Sequence, residues 1–295
     1  MQDTKDQLQR LMFEEINARC VRVHLCEVLK EAIGSDRYPA SVEQLLAEGL
    51  LVAGLLSSGL KFEGRISLQL QSSGPLKFLL ADCTDDGGMR CVARLAEDAL
   101  LPESRDALWQ SLRQGGILTL TLEPTQAGER WQGIVPLEGR DLAEALESYF
   151  ERSEQLATRL RLAVDGTQGS ALMIQKMPGE GSDEDGWNRL EHLVGTVGDR
   201  ELLDVADERL FHRLFHAEER RQFPARPLRF HCPCSRARVE RVLIGLGAEE
   251  IRSMVEAAET VEVQCEFCGK SYAFDPVQLA VLMDEAPTAE SRTLH

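Results

Sequence analysis

Hydrophobic residues follow two different periods in the first half of the chain, and each period predicts a different element. Apolar residues at helical spacing over residues 5–33 predict a long amphipathic helix. A second helix is predicted over residues 41–56, where leucines and valines leave little polar face. We expect this second helix to be the more deeply buried of the two.

Alternation of apolar and polar residues then predicts strands. The predicted strands lie at residues 66–70, 76–81, 89–95, 117–122, 131–135, 160–164 and 171–177. The strand at 117–122 is expected to pair with that at 131–135, and a charged helix is predicted over residues 141–155. These elements predict an α+β domain over residues 1–178 with a mainly antiparallel sheet.

After Pro178 the composition changes, and residues 179–186 contain only glycine, serine and acidic residues. Such a stretch neither buries apolar area nor holds regular structure, so it predicts the start of a linker over residues 179–230. A helix-period stripe returns over residues 201–216 in Leu203, Ala206, Leu210, Phe211 and Leu214. The linker is therefore predicted to be helical and conditionally stable, because so short a helix needs a neighbour to pack on.

The C-terminal segment, residues 231–295, predicts a small module. Helical spacing over residues 239–246 and 251–258, broken by Gly247, predicts two short helices. Alternation at residues 261–265 and 272–274 predicts a hairpin, and Asp275-Pro276 predicts the start of a last helix through Met283.

Four cysteines in this module have the spacing of a metal site. Cys232 and Cys234 form a C-x-C pair, and Cys265 and Cys268 form a C-x-x-C pair on the predicted hairpin turn. Two close thiolate pairs supply all four ligands of a tetrahedral zinc ion and leave no open position for catalysis. The sequence therefore predicts one zinc ion per chain in a closed site, which is structural or redox-active.

Composition favours metal binding over permanent disulfides. The chain begins with no signal-peptide pattern, and its strongly apolar run at residues 50–56 is too short to cross a bilayer, so we expect a cytoplasmic protein without a membrane partner. Closely paired cysteines in a reducing compartment are more often metal ligands or redox sensors than static disulfides. The net charge of −16 argues against nucleic acid as a partner, because phosphate contacts need a basic surface.

The remaining cysteines, three histidines and one acidic cluster are not expected to bind a metal. Cys20, Cys26, Cys83 and Cys91 form no metal-like pair and are expected to be small buried hydrophobes. His231 is expected to be a bystander beside four thiolates, and His212 and His216, four residues apart, are expected to lie on a solvated helix face. The acidic cluster of Asp82, Asp85 and Asp86 before Gly87-Gly88 predicts a hairpin turn.

Several segments together resemble the bacterial redox-regulated holdase chaperones, the 33-kilodalton heat-shock protein family, over essentially the whole chain. The segments are Leu60-Lys61-Phe62-Glu63-Gly64, Gly74-Pro75, residues 131–139, residues 149–155, and the C-x-C with C-x-x-C-G-K-x-Y-x-F pattern. The cysteine pattern is the most specific of these.

The resemblance implies a stress-response chaperone that is inactive when reduced and zinc-bound. On oxidation such a protein forms disulfides within each pair, here Cys232 with Cys234 and Cys265 with Cys268, and releases zinc while the zinc module and linker unfold. It then binds unfolding proteins without ATP, as a homodimer, and ATP-dependent refolding chaperones act downstream. The implied metal ligands are Cys232, Cys234, Cys265 and Cys268, and no enzymatic activity is implied.

Two alternatives of other classes stay open from the residues alone. C-x-x-C is also a cue for a thiol–disulfide oxidoreductase, although no thioredoxin-like βαβ pattern surrounds Cys265. A zinc-ribbon adaptor that binds a protein partner without redox switching would carry the same four ligands.

Overall fold

The computed structural model describes residues 6–34, 37–60, 63–97, 99–125, 128–179, 181–183, 185–257 and 259–285. Over these ranges the chain has the α+β fold that the sequence predicts. It divides into two compact units, Met1–His231 and Cys232–His295. Of the segments that carry the family resemblance, Lys61 and Phe62 lie outside the described residues.

The first unit contains strands and helices in the following order. The strands are β1 (Gln7–Phe13), β2 (Ala18–Leu25), β3 (Gly64–Gln71), β4 (Leu76–Thr84), β5 (Gly88–Leu95), β6 (Ile117–Pro124), β7 (Trp131–Pro136), β8 (Thr158–Val164), β9 (Gly169–Lys176), β10 (Arg221–Gln222), β11 (Arg226–Pro227) and β12 (Arg229–Phe230). The helices are α1 (Glu27–Ile33), α2 (Ala40–Ser57), α3 (Arg105–Leu112), α4 (Leu142–Tyr149), α5 (Gly186–Gly195), α6 (Asp199–Asp204) and α7 (Asp207–Phe215), with a π-helical turn at Phe150–Glu154.

Two sheets form the frame of this unit in the described part of the chain. Sheet 1 has the order β10-β1-β2-β9-β8, with β11 also pairing with β1, and sheet 2 has the order β12-β5-β4-β3-β6-β7. The pairs are antiparallel except for β12 with β5. The predicted pairing of β6 with β7 is confirmed, with Leu118 opposite Val135.

Helix α2 packs against strands of both sheets and forms the centre of the core. Two glycines allow the close approach: a Cβ at Gly49 would lie 3.2 Å from Leu79 Cδ2 of sheet 2, and one at Gly54 would lie 3.2 Å from Val23 Cγ1 of sheet 1. By length and composition α2 is apolar enough to cross a membrane, but 83% of it is buried inside the protein. Its apolar character is therefore that of a core helix, as predicted for residues 41–56.

The helix predicted over residues 5–33 is wrong, since most of this segment forms β1 and β2 and only its end forms α1. Asn17 has a positive φ of 54° and turns the chain between the two strands. Strand β2 is almost entirely buried because sheet 1 is covered on both faces. Polar residues within a strand buried on both faces obscure the alternation that would otherwise reveal it.

The segment predicted as a linker forms α5, α6, α7 and the short strands β10, β11 and β12. The predicted single stripe over residues 201–216 is two helices, because Ala206 has extended geometry with ψ 150° and separates α6 from α7. Residues of α5 to α7 form a second apolar core with the outer face of sheet 1. In this core the rings of Phe13 and Phe215 meet edge to face at 5.1 Å.

Several further elements differ from the sequence prediction in extent. The charged helix of residues 141–155 is α4 followed by the π-helical turn, and α4 begins where Asp141 Oδ1 accepts a hydrogen bond from Glu144 N at 2.9 Å. Helices α3 and α5, of eight and ten residues, were not predicted. Helix α5 begins at Gly186, inside the stretch expected to lack regular structure.

The second unit has the predicted order of elements. They are α8 (Arg236–Leu246), α9 (Ala248–Glu256), β13 (Val261–Gln264), β14 (Ser271–Phe274) and α10 (Pro276–Glu285). Strands β13 and β14 pair antiparallel as a hairpin. Asp275 Oδ1 accepts from Gln278 N at 2.8 Å, which confirms the predicted cap of the last helix. Ala258, the last residue of the predicted second stripe, lies outside the described residues.

Candidate metal centre

The first cysteine pair lies immediately before α8. Ser235 Oγ caps this helix by accepting a hydrogen bond from Arg238 N at 3.3 Å. The Arg238 guanidinium in turn donates to Pro233 O at 3.1 Å, between the two cysteines. A serine cap and a side chain that returns to the preceding segment hold Cys232 and Cys234 in a defined position at the helix N-terminus.

The second pair lies on the turn of the β13–β14 hairpin. Cys265 N donates to Lys270 O at 2.9 Å, and Gly269 N donates to Cys265 O at 2.8 Å. Gly269 has a φ of +71°, which a residue with a side chain rarely adopts, so glycine is required at this point of the turn. The hairpin therefore presents Cys265 and Cys268 on one tight turn.

The four thiol sulfurs meet in a single cluster. All four Sγ atoms lie within 4.8 Å of one another. Cys232 Sγ lies 3.7 Å from Cys265 Sγ, and Cys234 Sγ lies 3.3 Å from Cys268 Sγ. A zinc ion with Zn–S bonds of about 2.3 Å requires tetrahedral S–S edges of about 3.8 Å. The cluster thus has the size and the donor atoms that fit a metal bound by four thiolates.

Tyr272 of β14 interacts directly with this cluster. Its hydroxyl donates a hydrogen bond to Cys234 Sγ at 3.1 Å. Burial alone would raise the pKa of the Cys234 thiol, but hydrogen bonds from Tyr272 and from the other cysteines outweigh it and lower that pKa to about 7. The same bond raises the pKa of Tyr272 to about 12, so the hydroxyl keeps its proton and remains the donor. The arrangement favours a thiolate at Cys234, which is the form that binds metal.

The cluster is also part of the module's small core. Cys234 and Cys265 pack against buried residues of α8, α9, β14 and α10, among them Leu243, Ile251 and Phe274. One cysteine from each pair therefore joins the sulfur cluster to the apolar interior. Disrupting the cluster would loosen that core as well.

Comparison with known proteins now identifies the relatives of this chain. The family model described as Hsp33 protein matches residues 6–275. The chain belongs to the Hsp33 family. A 33 kDa chaperonin of Methylobacillus flagellatus is 38% identical over 275 residues, which are 92% of this chain and 92% of the relative. A 33 kDa chaperonin of Pseudomonas aeruginosa is 38% identical over 297 residues, covering 98% and 99% of the two chains.

A solved structure shows the same fold. The crystal structure of a 33 kDa chaperonin from Thermotoga maritima superposes with a TM-score of 0.82 and covers 95% of this chain and 98% of its own, at 19% sequence identity. Membership of the Hsp33 family confirms the resemblance found in the sequence and supports a chaperone function. The curated relatives are named chaperonins, a name for a non-enzymatic function.

The remaining four cysteines of this Hsp33-family chain belong to the first unit. Cys20, Cys83 and Cys91 are buried, as predicted, whereas Cys26 is only half-buried. Burial raises the pKa of Cys83 to about 11 and that of Cys91 to about 12. Thiols with such pKa values are poor nucleophiles and poor metal ligands near neutral pH.

The three histidines considered as candidate ligands are exposed, and two of the three aspartates of the acidic cluster lie in the predicted turn. His231 is exposed and does not belong to the group of potential ligands found among the described residues. His212 of α7 and His216, which caps the end of that helix, are exposed with their rings stacked 5.7 Å apart. The turn between β4 and β5 contains Asp85 and Asp86, while Asp82 is buried in β4 and pairs with Arg90 at 2.9 Å.

Sequence reasoning missed the role of Tyr272. The C-G-K-x-Y spacing placed this tyrosine four residues after Cys268, but spacing alone gave no direction for its hydroxyl. On the hairpin, Tyr272 lies opposite Val263 and reaches across to the first cysteine pair. The signal that would have found it is the strand alternation, which places Tyr272 on the buried face with Phe274.

Proposed function

We propose that this Hsp33-family protein is a redox-regulated, ATP-independent molecular chaperone, a holdase that prevents aggregation of unfolding proteins. In the reduced state Cys232, Cys234, Cys265 and Cys268 hold one zinc ion and the chaperone is inactive. Oxidation forms disulfides within each pair, zinc leaves, and the protein binds clients. The observation that carries this proposal is the cluster of four thiols within 4.8 Å, shared between two segments and packed into the module's core.

The chemistry of the switch follows from the thiols themselves. Two thiols transfer two electrons and two protons to one molecule of hydrogen peroxide. One S–S bond forms, the O–O bond breaks, and two molecules of water leave. Sulfur in a disulfide no longer carries the charge that binds a metal. Oxidation of either pair therefore removes half of the ligand set.

Loss of the ligands is expected to unfold the second unit. Its buried apolar residues are few, comprising Leu243, Ala248, Ile251, Tyr272, Phe274, Leu279 and Leu282. A core of this size rarely supports a fold alone, and structural zinc contributes on the order of 10 kcal/mol of apparent free energy to such modules. The module therefore depends on its sulfur centre.

In this proposal, movement of the linker helices exposes the surface that binds clients. Helices α6 and α7 contain six and nine residues, too few to persist without a partner. If they leave sheet 1, they uncover apolar side chains of that sheet, including Leu11, Phe13, Leu172 and Ile174, and expose their own. Such a surface binds unfolding proteins broadly, because the hydrophobic effect is non-directional.

The proposed domain roles follow this mechanism. Residues 1–178 form the client-binding domain, residues 179–230 the redox-sensitive linker, and residues 231–295 the redox switch. We further propose that the activated form is a homodimer in the cytoplasm which passes clients to ATP-dependent refolding chaperones. The net charge of −16 helps to keep the client complexes soluble and disfavours nucleic acid as a partner.

The test combines two measurements on the full chain before and after peroxide treatment. Zinc release is followed with a colorimetric chelator, and suppression of aggregation is followed by light scattering of an unfolding client. We expect one zinc per reduced chain and client protection only after oxidation, at near-stoichiometric ratios. A chelator alone should melt the region from about residue 228 to 285, which includes β12, and spare the remaining strands of both sheets.

Variants separate the proposal from its alternatives. Cys265→Ser with Cys268→Ser should abolish tight zinc binding, whereas the matched control Cys26→Ser should bind zinc as the wild type does. An oxidoreductase would exchange disulfides with a model substrate without protecting the client, and a zinc-ribbon adaptor would keep its zinc and its partner after peroxide. Reduced protein without zinc, or equal protection by both redox forms, contradicts the proposal.

A further inference from the structure

A cavity of about 400 Å³ in the first unit is lined by residues of both sheets. Its walls are mainly apolar and include Ile66 and Leu120 of sheet 2 and Phe150 of the π-helical turn. Arg19 and Gln175 of sheet 1 supply its polar end. Cavities of this volume, apolar with a few polar groups, are typical of sites for small molecules.

The polar end of the cavity contains a cation without a counter-ion. Arg19 Nε and Nη2 donate to Gln175 Oε1 at 3.1 and 2.7 Å. Gln175 is 1% exposed and is itself fixed, because its Nε2 donates to Thr158 Oγ1 at 2.9 Å. Across the described ranges Arg19 Nη1 has no hydrogen-bond partner, and no carboxylate lies within 4.0 Å of the guanidinium.

The surroundings of Arg19 disfavour its charge. Burial and the positive charge of nearby Arg10 lower the pKa of the Arg19 guanidinium. A half-buried guanidinium that bonds only to a neutral amide keeps spare donors in its planar fork. An anion at this position would relieve the unfavourable burial and use those donors.

One wall of the cavity is formed by the π-helical turn. The π-helical turn Phe150–Glu154 ends at Gln155, which has a positive φ of 55°. Single π-helical turns occur frequently at functional sites. The turn is closed by Tyr149, whose hydroxyl donates to Glu154 Oε1 at 2.9 Å.

Strand β7 forms another wall of the cavity and packs against Tyr149. A Cβ at Gly133 of β7 would lie 2.6 Å from Tyr149 Oη, so glycine is needed for the tyrosine to keep its place. Trp131 of the same strand lines the cavity and is 42% exposed. The segments 131–139 and 149–155 carry the family resemblance, yet the redox switch makes no use of them.

We propose that this cavity binds a small monocarboxylate with an apolar body, such as a medium-chain alkanoate. Its carboxylate accepts hydrogen bonds from the Arg19 guanidinium, and its alkyl chain packs against Ile66, Leu120 and Phe150. A planar guanidinium matches the two oxygens of a carboxylate, which favours this anion.

The first experiment needs no variant. Reduced full-length protein is titrated with octanoate, 1-octanol and octylamine, and binding is followed by ligand-observed NMR. We expect octanoate to bind at least about tenfold more tightly than octanol, since a hydrogen bond to a charged group is worth more than one to a neutral group. Lengthening the alkanoate should tighten binding by about fourfold per methylene until the cavity is full.

Variants then locate the site. Arg19→Gln should lower octanoate affinity to that of octanol, and Phe150→Ala should weaken both ligands. The matched control Arg209→Gln removes an equal charge from the exposed surface of α7 and should change neither affinity. Circular dichroism checks that each variant is folded. Equal binding of octanoate and octanol to the wild type, or no binding of octanoate at millimolar concentration, overturns the proposal even if Arg19→Gln fails to fold.

Discussion

Arg22 of β2 and Asp207 at the start of α7 form an ion pair, with Nη1 and Oδ1 2.8 Å apart and side-chain exposures of 1% and 10%. Arg22 Nη2 also donates to Leu202 O at 2.7 Å, and Gln7 Nε2 donates to the second oxygen of Asp207 at 2.8 Å. These bonds join sheet 1 to the two short helices that cover it. The segment proposed to move on activation is thus held by a buried polar contact as well as by apolar packing.

Replacing Asp207 should release α6 and α7. In Asp207→Ala the Arg22 charge stays buried without its counter-ion, which typically costs about 3–5 kcal/mol. We expect faster hydrogen exchange over residues 199–215 and measurable client protection by the reduced, zinc-bound protein. The control Glu208→Ala changes an exposed neighbour on the same helix and should leave both unchanged. Unaltered exchange in Asp207→Ala would mean that apolar packing alone holds these helices.

His24 of β2 makes the packing of α6 against sheet 1 sensitive to pH. It is buried, with Nε2 3.3 Å from Leu203 O. Burial and the nearby Arg22 charge lower the pKa of His24 below its ordinary value of 6.5. The folded state thus binds the proton less readily than the unfolded state does, so the stabilisation is fully present above about pH 6.5 and is lost as the pH falls through the folded-state pKa.

The corresponding measurement is the urea midpoint between pH 7.5 and 5.5. The wild type should lose stability on acidification, and His24→Gln should show a flatter dependence because it has no proton to gain. His212→Gln removes an exposed histidine from α7 and should keep the wild-type slope. Parallel slopes for His24→Gln and the wild type would contradict the assignment.

Tyr272 is expected to support metal affinity. Tyr272→Phe removes the donor to Cys234 Sγ but keeps the ring in the module's core. Hydrogen bonds to metal ligands typically account for about 10- to 100-fold in affinity, so zinc should bind at least about tenfold more weakly. Competition with a chelator of known affinity measures this. Tyr38→Phe, in the first unit, is the matched control and should bind zinc as the wild type does. Equal zinc affinity in Tyr272→Phe and the wild type would show that the Tyr272 hydroxyl does not support metal binding.

The order of disulfide formation is the last prediction. The two short sulfur contacts, 3.7 and 3.3 Å, join cysteines of different pairs, so proximity alone would favour bridges between the pairs. We expect ring strain to favour bridges within each pair, and the Cys265–Cys268 pair first, since it closes a less strained ring than Cys232 and Cys234, which are separated only by Pro233. Peptide mapping after partial oxidation should find the Cys265–Cys268 bridge first. Bridges mainly between Cys234 and Cys268 would show that proximity wins.

The sequence by itself determined the grouping of the four cysteines and the order of elements in the second unit. Both cysteine pairs are local, each within four consecutive residues, and the elements that carry them have clear helical or alternating periods. The core helix α2 and the strands from β3 to β7 were also predicted close to their observed bounds. Local pattern suffices where the burial of an element follows its own period.

Tertiary structure decided the remainder. Strand β2 was mistaken for helix because α6 and α7, about 180 residues later in the chain, cover its second face and pair with Arg22 and His24 there. The cavity at Arg19 likewise depends on two sheets that meet only in the folded unit. A sequence shows which residues can be buried, but which partner buries them depends on contacts between distant segments, and no local period records those contacts.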